Sequence, residues 1–313
     1  MDDRDRLSCS SSRRFRWRSL LSWAGVLVLA MMLGLALVAC GDDGEEGAEG
    51  GLLQKAIDQG YLTVGIANEP PYGYEDENGV TTGEAPEVAK EVLSRLGIPE
   101  LRSTVVDFGA LIPGLTAGRF DMIAAGMFIT PARAEQVLFS DPDYCATQGF
   151  AVAAGNPLDI HTFKDIAENP DAVVGVISGT VEEGYAEAAG VPDDRIMVFD
   201  TTPNIFEGLL DGRIDAVAYT SITVNWQVKL FDDPSIEATE GFVPVIDGEE
   251  KFGCGGYAFR PENQAFRDAF NETLNEMKQN DQVLPIVEPF GFTAADINKA
   301  KDVTVEDLVG EAE

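Results

Sequence analysis

Four cysteines carry the thiol chemistry of this chain: Cys9, Cys40, Cys145 and Cys254. Cys40 ends residues 37–40, Leu-Val-Ala-Cys, which directly follow an apolar run. A small residue followed by cysteine at such a place is typical of the site where a bacterial lipoprotein precursor is cut and lipidated. We therefore expect cleavage before Cys40 and a lipid anchor on its thiol.

The segment before Cys40 has the parts of a secretory signal peptide. Residues 20–38 carry no charge, and they follow a basic segment that contains Arg4, Arg6, Arg13, Arg14, Arg16 and Arg18. A signal-anchor helix is the alternative, since about 18 apolar residues can span a bilayer. The lipoprotein interpretation is favoured because a Gly/Glu-rich stretch follows. We predict a signal peptide over 1–39, a flexible acidic linker over 40–51 and a location outside the cytoplasm, on the outer face of the cell membrane or in the periplasm.

Cys145 and Cys254 remain in the mature chain after Cys9 is removed and Cys40 is lipidated. An even number of cysteines in an oxidising compartment is typical of a disulfide, although two free buried thiols are the alternative. Such a bridge would close a loop of more than a hundred residues and contribute about 4 kcal/mol in the chain-entropy account.

The composition excludes several classes of function. The formal net charge of −32 repels nucleic acid, because phosphate binding needs clustered Lys and Arg, and it disfavours docking on anionic lipid. The chain has one histidine, His161, and lacks Cys-x-x-Cys and His-Glu-x-x-His motifs, so we expect no metal site and no cofactor. Residues 302–313 are acidic, and we expect this tail to be partly disordered.

Apolar runs alternate with helical patterns through the mature chain. Strands are predicted at 62–67, 101–106, 121–125, 137–139, 172–177, 196–199 and 216–219. Helices are predicted at 86–96, 110–117, 181–189, 203–210 and 262–280. Because strands that alternate with helices form parallel sheets, the fold class is α/β. Removing 39 of 313 residues leaves about 270, enough for one large or two medium domains.

One helix-turn-strand pattern occurs twice. Residues 114–124, Gly-Leu-Thr-Ala-Gly-Arg-Phe-Asp-Met-Ile-Ala, parallel residues 208–218, Gly-Leu-Leu-Asp-Gly-Arg-Ile-Asp-Ala-Val-Ala. In each copy a glycine ends the helix, as expected for a left-handed cap. The pattern indicates two similar α/β lobes, with chance similarity as the alternative.

The order and spacing of the motifs at 109–121, 130–133, 141–144 and 210–216 resemble the extracellular solute-binding proteins of polar amino-acid ABC importers (family 3). The likeness covers about residues 61–292 and implies a two-lobed clamshell of the type II periplasmic-binding fold. Each lobe would be a mostly parallel sheet flanked by helices, and two crossover strands would lie near 148–152 and 255–260. Lobe 1 would comprise 52–149 and 255–313, and lobe 2 would comprise 150–254. Closure around a solute is a hinge motion.

Further segments narrow the resemblance to the ectoine- and hydroxyectoine-binding members of that family. They are residues 67–72, 83–89, 125–128 and 287–292, together with the placement of Cys145 and Cys254. The implied function is capture of ectoine or hydroxyectoine for uptake by an ABC importer. The implied partners are a small zwitterionic solute and ABC permease subunits, and we expect a monomer that meets the membrane through its lipid anchor alone.

The resemblance assigns five ligand-binding residues to lobe 1. Arg133 would grip the ligand carboxylate with its guanidinium fork. Tyr72, Phe108 and Phe128 would form an aromatic box for a delocalised cation, attracted to the ring faces. Glu69 would accept N–H groups of that cation. Each residue alone could serve an ordinary role, Arg133 as a surface partner of Glu135 and the rings as core.

Lobe 2 departs from the pattern of α-amino-acid binders. Those proteins hold the ligand ammonium with an Asp five residues after the Asp of the Gly-Arg-x-Asp turn, and that position here is Thr220. We therefore predict that a plain α-amino acid is a poor ligand. Thr180, before a predicted helix, is expected either to donate to the ligand carboxylate or to cap the helix. Asn225 is a weaker candidate for the same cleft.

Three alternatives remain open from the sequence. The first is a binding protein for another solute, such as a polar amino acid or a betaine. The second is an enzyme of the cyclohexadienyl-dehydratase type on the same fold, since a fold does not determine function. We expect no enzyme, because the sole histidine, His161, lies at a predicted helix start away from the matched cleft. The third is a sensory receptor domain, which we do not expect because the sequence shows no signalling domain downstream.

Overall fold

The computed structural model describes residues 51–246 and 248–310, and the predicted α/β class is confirmed there. The signal peptide over 1–39, the lipid site at Cys40 and residues 40–50 of the linker lie outside the described residues. Within the described ranges, no helix has the length and apolar character that a membrane crossing requires. The same ranges contain no group of His, Cys, Asp and Glu side chains placed to hold a metal ion.

The strands are short, and seven of the fifteen described strands (β1, β4, β5, β6, β9, β10 and β11) have bounds within three residues of a strand predicted from apolar runs. In chain order they are β1 (Tyr61–Ile66), β2 (Tyr74–Glu75), β3 (Thr81–Thr82), β4 (Glu100–Val105), β5 (Met122–Phe128), β6 (Leu138–Phe139), β7 (Tyr144–Ala146), β8 (Gln148–Ala153), β9 (Val174–Ile177), β10 (Ile196–Phe199), β11 (Ala216–Thr220), β12 (Ile236–Ala238), β13 (Val245–Ile246), β14 (Glu249–Glu250) and β15 (Gly253–Phe259).

The α-helices pack against the strands of both main sheets. In chain order they are α1 (Leu52–Gln59), α2 (Glu84–Arg95), α3 (Leu111–Thr116), α4 (Pro131–Ala134), α5 (Phe163–Glu168), α6 (Val181–Ala188), α7 (Thr202–Leu210), α8 (Ser221–Phe231), α9 (Gln264–Gln279), α10 (Leu284–Val287), α11 (Ala294–Ala300) and α12 (Val305–Val309).

The strands form two main sheets, and the chain builds one lobe around each. Lobe 1 contains the sheet β4-β1-β5-β15-β6, with β7 also paired to β15, and lobe 2 contains the sheet β10-β9-β11-β8-β12. In each sheet three neighbouring strands are parallel, β4-β1-β5 and β10-β9-β11. One long strand then runs antiparallel to them, β15 beside β5 and β8 beside β11. The chain enters lobe 2 between β7 and β8 and returns between β12 and β15.

The repeated sequence pattern performs the same structural task in both lobes. Gly118 and Gly212 have positive φ of 70° and 68° and end their helices. The Asp that follows each of them ties the turn to another strand of its own sheet. Asp121 accepts from the Thr63 hydroxyl at 2.5 Å, and Asp215 accepts from the backbone N–H of Val173 at 2.9 Å. The two turns thus hold β5 and β11 in register beside β1 and β9.

Residues 305–309 of the acidic C-terminal tail form α12. The backbone N–H of Val305 donates to Asp141 Oδ1 at 3.0 Å. Val305, Leu308 and Val309 pack against the apolar core that the two lobes share. The acidic residues of this segment are exposed, while its apolar residues pack inward.

Cys145 in β7 and Cys254 in β15 lie opposite each other in an antiparallel pair. The structure joins them by a disulfide with a sequence separation of 109 residues, which confirms the predicted pairing. Both cysteines are buried, and the loop that they close contains the whole sheet of lobe 2.

A pair of buried carboxyl groups lies in the core of lobe 1. Glu84, at the start of α2, and Asp143, just before β7, are each 1% exposed. The Tyr257 hydroxyl donates to Asp143 Oδ2 at 2.8 Å. Burial, followed by the charge of Asp143, holds the pKa of Glu84 well above its usual range. The folded protein therefore retains a proton on Glu84 that the unfolded chain releases near its ordinary pKa.

Because the folded pKa of Glu84 is raised, the free energy of unfolding should fall as the pH rises above about 4.5. Each unit of pH costs up to about 1.4 kcal/mol for one such proton. We expect Glu84→Gln, whose amide can still donate to Asp143, to remove this loss. Urea unfolding at pH 5 and pH 8 should show the variant gaining at least about 1 kcal/mol on the wild type across that interval. If the free energy of unfolding depended on pH in the same way for both proteins, the folded protein would not retain a proton on Glu84.

Candidate functional site

A cavity lies between the two lobes. Its walls come from both lobes. Lobe 1 contributes Glu69, Tyr72, Phe108, Ala125, Gly126, Phe128 and Arg133, and lobe 2 contributes Thr180, Val181, Glu182, Tyr219 and Thr220. The structure therefore brings six of the seven predicted ligand-binding residues to one place.

The three predicted rings are buried around this cavity. Tyr72 is 3%, Phe128 5% and Phe108 9% exposed. Two glycines leave the space for them. A Cβ on Gly126, which has a φ of +61°, would lie 2.2 Å from the Tyr72 ring, and a Cβ on Gly253 would lie 1.8 Å from the Phe128 ring. No side chain fits at either glycine unless a cavity ring moves.

Glu69 projects from the turn that follows β1. Its backbone N–H donates to Gly73 O at 3.0 Å, and its carbonyl accepts from Tyr72 N at 2.9 Å, so the turn holds the carboxylate and the Tyr72 ring together. Burial, and then the negative charge of Glu182, raise the pKa of Glu69 to about 8. The carboxyl is thus largely protonated at neutral pH unless a cation approaches it.

Arg133 lies in α4, which begins at Pro131 and is capped by the Thr130 hydroxyl. Its Nη1 donates to Phe128 O at 2.6 Å and its Nη2 donates to Gly179 O of lobe 2 at 2.9 Å. The guanidinium carbon lies 5.4 Å from the centre of the Phe108 ring. Burial lowers the pKa of Arg133, and the group still supplies the cavity's positive charge because an arginine remains protonated in proteins.

Lobe 2 closes the cavity through hydroxyl groups and backbone. Thr220 and Tyr72 share a hydrogen bond of 2.9 Å between their hydroxyls, so the residue at the position of the absent ammonium clamp contacts the opposite lobe. Thr180 lines the cavity, and its hydroxyl donates to Ile177 O at 2.9 Å rather than capping α6. Gly109 and Gly179 meet between the lobes, where a Cβ on Gly179 would come within 2.8 Å of Gly109 Cα.

Glu182, in the first turn of α6, is a cavity residue that the sequence analysis missed. It is 3% exposed, and burial raises the pKa of its carboxyl. When the Gln148 amide is oriented so that both its oxygen and its nitrogen have suitable partners, the nitrogen donates to Glu182 Oε1 at 2.7 Å and to Tyr219 O at 3.0 Å. The available clue was that Glu182 lies two residues after Thr180, on the same helical turn, and could therefore reach the same cavity. Lobe 2 therefore does present a carboxylate to the cavity.

Asn225 does not reach the cavity, contrary to the prediction. Its amide is exposed and donates to Ser221 O at 2.7 Å, four residues back in α8, and it borders a separate surface hollow beside Trp226. The buried face of α8 carries Thr223 and Gln227 instead. Gln227 donates to Pro70 O at 2.7 Å, and Thr223 donates to Glu69 Oε1 at 3.5 Å.

The cavity combines one guanidinium, two carboxyl groups and several aromatic rings. A guanidinium fork suits a carboxylate, whereas ring faces and carboxylates suit a cation. The arrangement can therefore hold a small molecule that carries both charges.

Known proteins share this architecture. The bacterial extracellular solute-binding proteins, family 3, match residues 62–293 of the chain. A probable amino-acid ABC transporter periplasmic-binding protein, y4tE of Sinorhizobium fredii, is 36% identical over 258 residues, which cover 82% of this chain and 85% of that protein.

Two solved structures are also similar. The crystal structure of EhuB in complex with hydroxyectoine has a TM-score of 0.76 and 38% sequence identity, covering 83% of this chain and 98% of that one. The ancestral amino acid-binding protein AncCDT-1, a precursor of cyclohexadienyl dehydratase, has a TM-score of 0.65 and 26% identity, covering 76% of this chain and 98% of that one.

Proposed function

Because this chain belongs to family 3 of the bacterial extracellular solute-binding proteins, we propose that it captures an ectoine-type zwitterion and delivers it to an ABC importer. Proteins of this family act outside the cytoplasm, bind small solutes and interact with permease subunits. The observation that carries the proposal is the convergence of Arg133, Glu69 and three aromatic rings on one cavity.

Ectoine and hydroxyectoine match this cavity group by group. Each is a small cyclic acid whose positive charge is spread over an amidinium within the ring. The carboxylate would pair with Arg133, and the flat cation would stack among Tyr72, Phe108 and Phe128. Glu69 would accept an amidinium N–H. The likeness to EhuB, solved with hydroxyectoine, supports the same ligand class.

A polar or basic amino acid is the second candidate, and Glu182 is the observation that favours it. Thr220 replaces the usual carboxylate, yet Glu182 supplies another one from the same lobe. Catalysis is not part of the proposal, since His161 is exposed and pairs with Asp159 on lobe 2, at 3.0 Å.

We extend the proposal to the membrane anchor. The chain would be cut before Cys40 and held at the membrane by lipid on that thiol, as residues 37–40 indicate. Mass spectrometry of the mature N-terminal peptide tests this, and an unmodified Cys40 or an uncut leader would contradict it.

Isothermal titration of the mature protein with ectoine, hydroxyectoine, glutamine, arginine and glycine betaine tests the ligand. We expect the two ectoines to bind at micromolar concentration or tighter, and the others at least about tenfold more weakly. A thermal-shift screen over the same compounds should give the same order, because a ligand that binds only the folded state raises the melting temperature. Tight binding of glutamine or arginine with millimolar ectoine binding would select the second candidate.

A further inference from the structure

Two buried carboxylates from opposite lobes line the cavity. Glu69 belongs to lobe 1 and is 7% exposed, and Glu182 belongs to lobe 2 and is 3% exposed. The charge of Glu182 is the largest electrostatic influence on Glu69. Both carboxyl groups line the same cavity, where each makes the negative charge of the other less favourable.

Neither carboxylate forms a salt bridge among residues 51–246 and 248–310, although Arg133 lies near enough to Glu182 for their charges to interact. No Lys, Arg or His nitrogen there lies within 4.0 Å of either group. The described hydrogen bond of Glu69 is a 3.5 Å contact with the Thr223 hydroxyl. Arg133 directs its two described side-chain hydrogen bonds to the carbonyls of Phe128 and Gly179. A buried charge is costly unless it is paired. The ionised form of Glu69 therefore needs a cation from the ligand, since no cation lies beside it among these residues.

We propose that Glu182 acts with Glu69 to select ligands whose positive charge bears N–H groups. The inference deepens the proposed function and rests on it, because it concerns the same cavity. Glu69 meets the cation from lobe 1 and Glu182 meets it from lobe 2. The ligand's positive charge then bridges the lobes.

The aromatic rings and the carboxylates make different demands on a cation. Ring faces attract any cation, including a quaternary ammonium that has no N–H group. Two buried carboxylates also need hydrogen-bond donors, because an acceptor without a donor keeps its desolvation penalty. Amidinium, guanidinium and ammonium groups satisfy both demands. A quaternary ammonium satisfies the rings alone, and a neutral cyclic acid satisfies Arg133 alone.

A purely structural role for Glu182 makes different predictions. An acidic residue in the first turn stabilises a helix through its dipole, and Gln148 already bonds to Glu182. Glu183 lies in the same turn of α6 and is absent from the cavity lining. Glu183→Gln is therefore the matched control, since it removes the same helix-terminal charge without changing the cavity.

The test is a charge series of ligands measured on wild type, Glu182→Gln and Glu183→Gln by isothermal titration. The probes are ectoine, arginine, glycine betaine and 5-oxoproline, a cyclic carboxylic acid without a cation. We expect Glu182→Gln to weaken binding of the N–H cations about tenfold or more, because hydrogen bonds to charged groups have that effect. Binding of betaine and 5-oxoproline should be unchanged or stronger, and Glu183→Gln should match the wild type throughout.

Two outcomes would overturn the inference. One is unchanged binding of N–H cations by Glu182→Gln. The other is an equal loss for every ligand together with a lower melting temperature of the ligand-free protein, which is the mark of a structural role. Failure of the ectoine assignment is a separate outcome from failure of the inference about Glu182. If the wild type binds arginine and not ectoine, the ectoine assignment fails while the Glu182 comparison is carried out with arginine. Wild-type preference for betaine or 5-oxoproline would refute the selection rule itself.

Discussion

Replacing Arg133 by alanine should weaken solute binding at least about thirtyfold. The guanidinium is the positive group of the cavity lining, and it also bonds to Gly179 of lobe 2. Truncating one partner of a buried charge pair typically costs about 2 to 5 kcal/mol, and each 1.4 kcal/mol is a factor of about ten in affinity. Isothermal titration with the solute that binds the wild type measures the loss.

Two further variants separate the fork geometry of Arg133 from its charge. Arg133→Lys keeps the positive charge but loses the planar pair of donors, so we expect an affinity between those of the wild type and Arg133→Ala. Arg119→Ala changes the net charge by the same amount at an exposed residue outside the cavity lining, and it should bind as the wild type does. Wild-type affinity in Arg133→Ala would show that the ligand carboxylate is held elsewhere.

Much of the fold was predictable because its two sheets each begin with strands that alternate with helices. The buried strands β1, β9 and β11 appear as apolar runs, and the glycines at 118 and 212 mark helix ends. The antiparallel strand β15 was placed only by resemblance, because it does not follow the pattern of strands that alternate with helices. Strands such as β2 and β13 are two residues long, which is too short for periodicity to reveal.

The cavity residues were predictable where short motifs place side chains on known turns. They were less predictable on helices, where the rotation from one residue to the next decides which side chains face the cavity. Asn225 was assigned to the cleft because it lies early in α8, but the buried face of that helix is set by Thr223, Val224 and Gln227. Successive residues in a helix are rotated by about 100°, so Asn225 points away from that face. Glu182 was overlooked because acidic residues in a first helical turn are common and usually solvated.

The missing carboxylate at Thr220 led to the expectation that lobe 2 holds no ammonium. The structure weakens that inference, since it shows that two different elements of lobe 2 reach the same cavity. Thr220 ends β11 and bonds to Tyr72, while Glu182 arrives from α6. A residue's absence from one position in a sequence motif does not exclude the same chemistry from a neighbouring element. Only the tertiary structure brings the end of β11 and the start of α6 together.

Removing the disulfide should lower the free energy of unfolding by about 4 to 5 kcal/mol in the chain-entropy account. The bridge closes a loop with a sequence separation of 109 residues, which contains all of lobe 2. In the unfolded chain it ties together the two points at which the chain leaves and re-enters the sheet of lobe 1. The double variant Cys145→Ala/Cys254→Ala, followed by urea unfolding, measures the effect.

The solute affinity of that variant should stay within about twofold of the wild type, because neither cysteine lines the cavity and the constraint acts mainly on the unfolded chain. Wild type unfolded under reducing conditions separates the bond from the packing of the side chains, which contact Ala300. It should lose nearly the same stability as the double variant, while reductant should leave the double variant unchanged. Equal urea midpoints for oxidised and reduced wild type would show that the disulfide at the base of lobe 2 does not stabilise the protein. A large loss of affinity in the double variant would instead mean that the bond positions the two lobes.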